Sequence, residues 1–120
     1  MGTKIDCCPS CGRECRVRGG ADEILQERYR QIDVEGWTAE HDDQHDRGEL
    51  AAAARAYLFA VLCRLCDEAT AEEMQTIPND WPAKWSREWW KPSSDPIRNL
   101  VKAGALIAAE IDRLRRKARA

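Results

Sequence analysis

The strongest constraint on folding lies near the C-terminal end of the sequence. Ser94 or Asp95 can cap a helix whose first position is Pro96, a residue with fixed φ and no N–H to lose. After it, Ile97, Leu100, Val101, Gly104, Ile107, Ala108, Ile111 and Leu114 recur at helical spacing. A glycine inside such a stripe costs helix propensity, so Gly104 predicts the close approach of a second helix. Two other segments carry the same period. One runs from about Glu49 to Glu68, with Leu50, Ala54, Tyr57, Leu58, Val61, Leu62 and Leu65 on one face. The other runs from about Asp22 to Val34, with Ile24, Leu25, Tyr29 and Ile32, and Gly36 ends it.

Between these helices lie a very polar stretch, Thr38 to Gly48, and the segment Ala69 to Asp95, rich in Pro and Trp. A short helix over Pro82–Trp90 is expected in the latter. No alternating strands flank a turn anywhere. The sequence therefore predicts an all-α domain of three main helices plus a short Trp-rich helix, spanning 21–120. A Cys-rich, zinc-knuckle-like head over 1–20 packs on it.

A chain of 120 residues supports one hydrophobic core, and 43% hydrophobic with 33% charged residues is a globular balance. No apolar run approaches the roughly 18–20 residues of a membrane span, and Met1 to Cys15 lacks the apolar core of a secretion signal. The expectation is a cytoplasmic protein with no membrane association. In that reducing compartment six cysteines point to metal rather than disulfides.

The net charge of −2 hides an asymmetry: residues 21–50 sum to −7 and residues 96–120 to +5. Arg113, Arg115, Arg116, Lys117 and Arg119 suit the negative end of a helix dipole. The acidic middle disfavours a nucleic-acid partner.

Cys7-Cys8-Pro9-Ser10-Cys11-Gly12 reads as a zinc knuckle, since two thiolates at Cys-x-x-Cys spacing reach one ion at about 2.3 Å. Cys63 and Cys66 repeat that spacing near the end of the second main helix. At 100° per residue Cys66 falls roughly 115°, and Cys63 roughly 175°, from the centre of its apolar face. Neither is a natural core position. The favoured site is a structural Zn²⁺ held by Cys8, Cys11, Cys63 and Cys66. A site from Cys7 or Cys8 with Cys11, Cys15 and a histidine is the alternative, and free thiols are the third reading.

The run Glu40-His41-Asp42-Asp43-Gln44-His45-Asp46, followed by Glu49, supports three readings: capping of the second helix, ligand contact, or a Mg²⁺ or Mn²⁺ site. Paired E-x-x-E and E-x-x-D motifs, which small all-α nucleotide pyrophosphatases use for Mg²⁺, are missing. Trp81, Trp85 and Trp89 recur every four residues beside Trp90, with Lys84, Arg87 and Lys91 interleaved. Aromatic faces beside cations hold bases and phosphates. Two or three of these rings are expected in the core, and at least one in a pocket.

The segments Arg28-Tyr29-Arg30-Gln31-Ile32, Glu35-Gly36-Trp37-Thr38, Glu40-His41-Asp42-Asp43-Gln44-His45 and Gly48-Glu49-Leu50 resemble a family of small phage and prophage proteins. So do Trp89-Trp90-Lys91-Pro92 and the stretch from Arg98 to Ile107. The resemblance covers roughly 22–116; the Cys-rich head and the Cys63/Cys66 pair lie outside it. Gly36-Trp37, Asp42-Asp43 and Lys102-Ala103 also look like the ryanodine-receptor repeat domain, found too in prokaryotic defence systems. That second likeness implies a module that binds a nucleotide-derived ligand.

The leading expectation is thus a phage-encoded protein of the host cytoplasm that sequesters a small nucleotide-like signal of host defence. Arg28, Trp37, His41, Asp43, His45, Trp89, Trp90 and Lys91 are its expected pocket. The alternatives are a zinc-structured inhibitor of a host protein and a metal-dependent nucleotide hydrolase using Asp42, Asp43 and Glu49. The exposed half of the last helix and the Gly104 notch leave room for a homo-oligomer.

Overall fold

Pro96 does open the last helix, and Asp95 caps it: its Oδ1 accepts from the N–H of Ile97 at 3.0 Å. A computed structural model describes residues 19–65 and 81–120, together with the backbone of Asp6–Cys7 and Glu14–Cys15. The helices are α1 (Gly20–Asp33), α2 (Ala39–Asp43), α3 (Glu49–Leu65) and α4 (Pro96–Arg119). In the head, strands β1 (Asp6–Cys7) and β2 (Glu14–Cys15) form a two-residue antiparallel ladder, with Asp6 opposite Cys15. Sequence patterning gave no hint of this pairing, because two residues are too few to show alternation. The described chain is otherwise helical, and no helix in it is long and apolar enough to cross a membrane.

The core is built where α3 and α4 run against each other, with α1 laid over α4. Its helical surface is mostly alanine: Ala53, Ala56 and Ala60 from α3, Ala103, Ala105 and Ala109 from α4, with Leu50 and Leu106 as the large aliphatics. Small side chains let two helix backbones close together, and that close packing decides which face is buried. The expected stripe of α4 is consequently misplaced. Ile97, Leu100, Ile107, Ile111 and Leu114 are all 43–60% exposed, and on α3 Leu58, Leu62 and Leu65 are exposed as well. Gly104 is an exception. A Cβ there would sit 2.6 Å from Cδ1 of Ile24, so α1 does approach α4 at that point, and the notch expected for a homo-oligomer is filled from within the chain.

Two connections differ from expectation. The polar stretch after Trp37 contains a helix, α2, because Thr38 caps it and accepts from the N–H of His41 at 3.3 Å. The expected helix over Pro82–Trp90 shrinks to one 3₁₀ turn, Arg87–Trp89. Trp81, Trp85 and Trp90 are all buried, at 7–8% exposure. In a continuous α-helix Trp90 would point about 140° away from Trp85, so burying both requires a break in the helical path.

The three buried indoles and Tyr57 form one cluster, with Trp81 to Trp85 at 5.5 Å, Trp81 to Trp90 at 5.4 Å and Tyr57 to Trp90 at 4.8 Å between centroids. This cluster replaces the bulk that the alanine-rich helices lack.

Candidate functional site

Glu27 of α1 is the centre of the site. It is 3% exposed, yet it is a carboxylate. A buried charge must be paired, and here three side chains do so. Arg30 reaches both oxygens at 2.8 and 2.9 Å, Arg98 of α4 reaches Oε1 at 2.8 Å, and Nε2 of Gln31 donates to Oε2 at 3.1 Å. Burial pushes the Glu27 carboxyl up, but the bonds and charges of Arg30 and Arg98 more than offset it, so the group stays an anion.

Trp37 stands beside this centre because of the glycine before it. Gly36 adopts φ +75°, the left-handed conformation that ends a helix, and the N–H of Trp37 turns back to the carbonyl of Gln31 at 2.9 Å. The indole then lies parallel to the His41 ring, 4° between planes and 6.3 Å between centroids. Beneath, Nη2 of Arg28 donates to Oδ2 of Asp42 at 3.1 Å, joining α1 to α2, with Asp42 only 1% exposed.

The opposite wall is the strap from Trp89 to Ser93. Tyr57 of α3 pins it twice: its hydroxyl accepts from the N–H of Lys91 at 3.3 Å and donates to the carbonyl of Trp89 at 3.5 Å. Asn99 of α4 exchanges two 2.8 Å bonds with the backbone of Ser93, and Nζ of Lys102 donates to the Lys91 carbonyl at 2.6 Å. Trp90 is turned into the core by this arrangement and Trp89 outward, at 41% exposure.

Between the two walls lies a cleft of about 220 Å³ lined by Glu27, Arg30, Gln31, Trp37, His41, Trp89, Lys91 and Lys102, among others. Three cations line it, Arg30, Lys91 and Lys102, against Glu27 and Glu35, and Arg30 is paired with both carboxylates. Burial pushes the Lys102 amine down and Arg98 pushes it further; Glu27 opposes them, and Arg30 and Lys91 add to the lowering. An anion entering the cleft would relieve that crowding.

Of the residues expected from sequence, Trp37, His41, Trp89 and Lys91 converge on this cleft. Arg28 lies beneath it in the pair with Asp42, and Trp90 is in the core. Asp43 is bound outside, by Nη2 of Arg116 at 2.8 Å. His45 faces a neighbouring cleft. Glu27, Arg30, Gln31, Tyr57 and Lys102 were missed. The i, i+3, i+4 spacing of Glu27, Arg30 and Gln31 was the signal available for three of them.

The carboxylates of the expected hydrolase diverge: Asp42 onto Arg28, Asp43 onto Arg116, and Glu49 onto the N–H of Arg47 at 2.7 Å. Among the described residues no group of three or more His, Cys, Asp and Glu side chains is arranged to hold a metal. Cys63 is half-buried near the end of α3 and has no disulfide partner among the described residues. Cys8, Cys11 and Cys66, and the alternative ligands Cys7 and Cys15, have their side chains outside the described residues.

Compared with family models, with curated proteins and with solved structures, the chain matches none.

Proposed function

We propose that the chain is a binding protein for a small nucleotide-derived ligand, its base between Trp37 and Trp89 and its phosphate at Arg30, Lys91 and Lys102. The observation that carries this reading is the crowding of cations beside two indoles that face a common cleft. Aromatic faces take a base by stacking, and basic side chains take phosphate oxygens. The cleft is below the roughly 300–1,000 Å³ of a complete drug-sized site. It suits one ring system and its first substituents, with the remainder of the ligand at the mouth.

The sequence likeness to phage proteins supports a biological role: sequestering a nucleotide-derived signal of host defence in the host cytoplasm. A structural Zn²⁺ on Cys8, Cys11, Cys63 and Cys66 belongs to the same proposal. A second reading, surface inhibition of a host protein, draws on the exposed Ile107, Ile111 and Leu114.

The test is a thermal-shift panel of mononucleotides, cyclic dinucleotides and ADP-ribose derivatives on the full chain. At least one compound should raise the melting temperature of the wild type and fail to raise that of Trp37→Ala. A panel without any shift would refute the nucleotide reading.

A further inference from the structure

Arg30 and Glu35 line the first cleft together. Two carboxylates hold the Arg30 guanidinium, and they differ in how firmly they do so. Its Nε and Nη2 donate to Glu27, which is 3% exposed and cannot leave without stranding a charge away from water. Its Nη1 donates to Oε1 of Glu35 at 2.9 Å, and there both side chains are open to solvent, 38% for Arg30 and 36% for Glu35. An ion pair so exposed is weakly held.

Charge balance gives Glu35 its role. The single carboxylate of Glu27 faces two guanidinium groups, Arg30 and Arg98, each at 2.8 Å, so this cluster carries one positive charge in excess. Glu35 supplies the balancing anion. It does so from an unfavourable place, just past the C-terminus of α1, where the helix dipole is negative and disfavours a carboxylate. The backbone there is fixed: the N–H of Glu35 donates to the Arg30 carbonyl at 3.4 Å, and that of Trp37 to the Gln31 carbonyl at 2.9 Å. Withdrawing the carboxylate therefore takes a side-chain rotation alone.

We propose that Glu35 is a built-in competitor for the ligand. Its carboxylate holds the place of a phosphate at Nη1 of Arg30, and binding exchanges one anion for the other. A phosphate oxygen accepts the same bond and restores the same charge balance, so Glu35 marks the anion subsite and lowers the affinity of whatever fills it. This rests on the nucleotide reading of the first cleft and adds the residue that sets its affinity.

The test is calorimetric titration of ADP and of inorganic pyrophosphate into the full chain, as wild type, Glu35→Gln, Arg30→Lys and the double variant. Glu35→Gln keeps the size of the side chain and removes the competing charge. Both probes should bind it about 5-fold tighter than the wild type, the worth of an exposed ion pair. In Arg30→Lys a single ammonium stays on the buried Glu27, so adding Glu35→Gln should change either affinity by less than about 2-fold. A gain of equal size in both backgrounds would overturn the inference, because Glu35 would then act by its charge alone and not through Arg30. Equal affinity of the wild type and Glu35→Gln for ADP would also overturn it, and would leave the nucleotide reading standing. If pyrophosphate shows the gain and ADP binds no tighter than pyrophosphate, the exchange stands and the nucleotide reading falls. Binding of neither probe to either protein would overturn both.

Discussion

Arg28 and Asp42 meet at 3.1 Å beneath the first cleft, one on α1 and the other on α2, both almost sealed from water. The pair joins α2 to α1, while Arg116 of α4 holds the other side of α2 through Asp43 and the Ala39 carbonyl. Removing one partner of a buried pair leaves an uncompensated charge, which typically costs about 3–5 kcal/mol.

Arg28→Met should therefore destabilise the protein by about that amount at pH 7. The loss should shrink in acid. Burial already pushes the Asp42 carboxyl up, and Arg28 and His41 only partly offset it. Without Arg28 its folded pKa rises further above its unfolded value. The folded state then binds more protons than the unfolded state in that window, so stability falls as pH rises through it. Urea denaturation of the variant at pH 5 and pH 7 checks this; an unchanged penalty would contradict it.

His45 works in the opposite direction. Burial lowers its pKa, and the nearby His41 lowers it further, against Glu49 and Asp42. The unfolded state takes up a proton first, so this group's contribution is present above pH 6.5 and is lost as pH falls towards the folded pKa. His45→Phe should flatten the loss of stability between pH 7.5 and pH 5.5, measured by the same denaturation. A slope identical to the wild type would show that other groups govern it.

Gly104 tests the packing of α1 on α4. Gly104→Ala gains up to about 1 kcal/mol of helix propensity, but its Cβ would lie 2.8 Å from Cγ1 of Ile24, and overpacking costs about 1–3 kcal/mol. A net loss of about 1 kcal/mol is expected. In an Ile24→Ala background the clash is gone, and the same substitution should stabilise. A loss of equal size in both backgrounds would remove Ile24 from the account.

Much of this fold is legible in the sequence where the signal is local. Asp95 followed by Pro96 places the start of α4, and Gly36 before Trp37 ends α1, because capping chemistry acts within a few residues. The buried face of α4 is not legible. A hydrophobic stripe gives weight to Ile107, Ile111 and Leu114, whereas the packed interface selects Ala103, Ala105 and Ala109 for their small size. Nor is Glu27 legible as a buried residue. A carboxylate in mid-helix reads as solvent-facing, and its burial depends on Arg98 from a distant helix. The Trp segment is half legible: rings for a core and one for a cleft can be counted, but which indole turns outward depends on where Tyr57 pins the strap.

Tyr57 is accordingly the residue that positions the outer wall of the cleft. Tyr57→Phe keeps the ring in the aromatic cluster and loses both bonds to the strap, for a stability loss of about 1–2 kcal/mol. Amide exchange at Lys91 should accelerate, while exchange on α4 beyond Ala105 stays as in the wild type. Protection unchanged at Lys91 would show that Asn99 and Lys102 hold the strap without it.

The central claim, that the first cleft takes a nucleotide on its cations, is tested most directly with Lys102. Lys102→Met keeps the aliphatic stem against Tyr57 and removes the ammonium, which lies 5.5 Å from that ring's centroid. The measurement is isothermal titration of ADP-ribose into the wild type and this variant. The account predicts one site per chain, about 10-fold weaker in the variant, with the weakening diminished at high salt. No heat from the wild type, or identical binding constants for the two proteins, would contradict it.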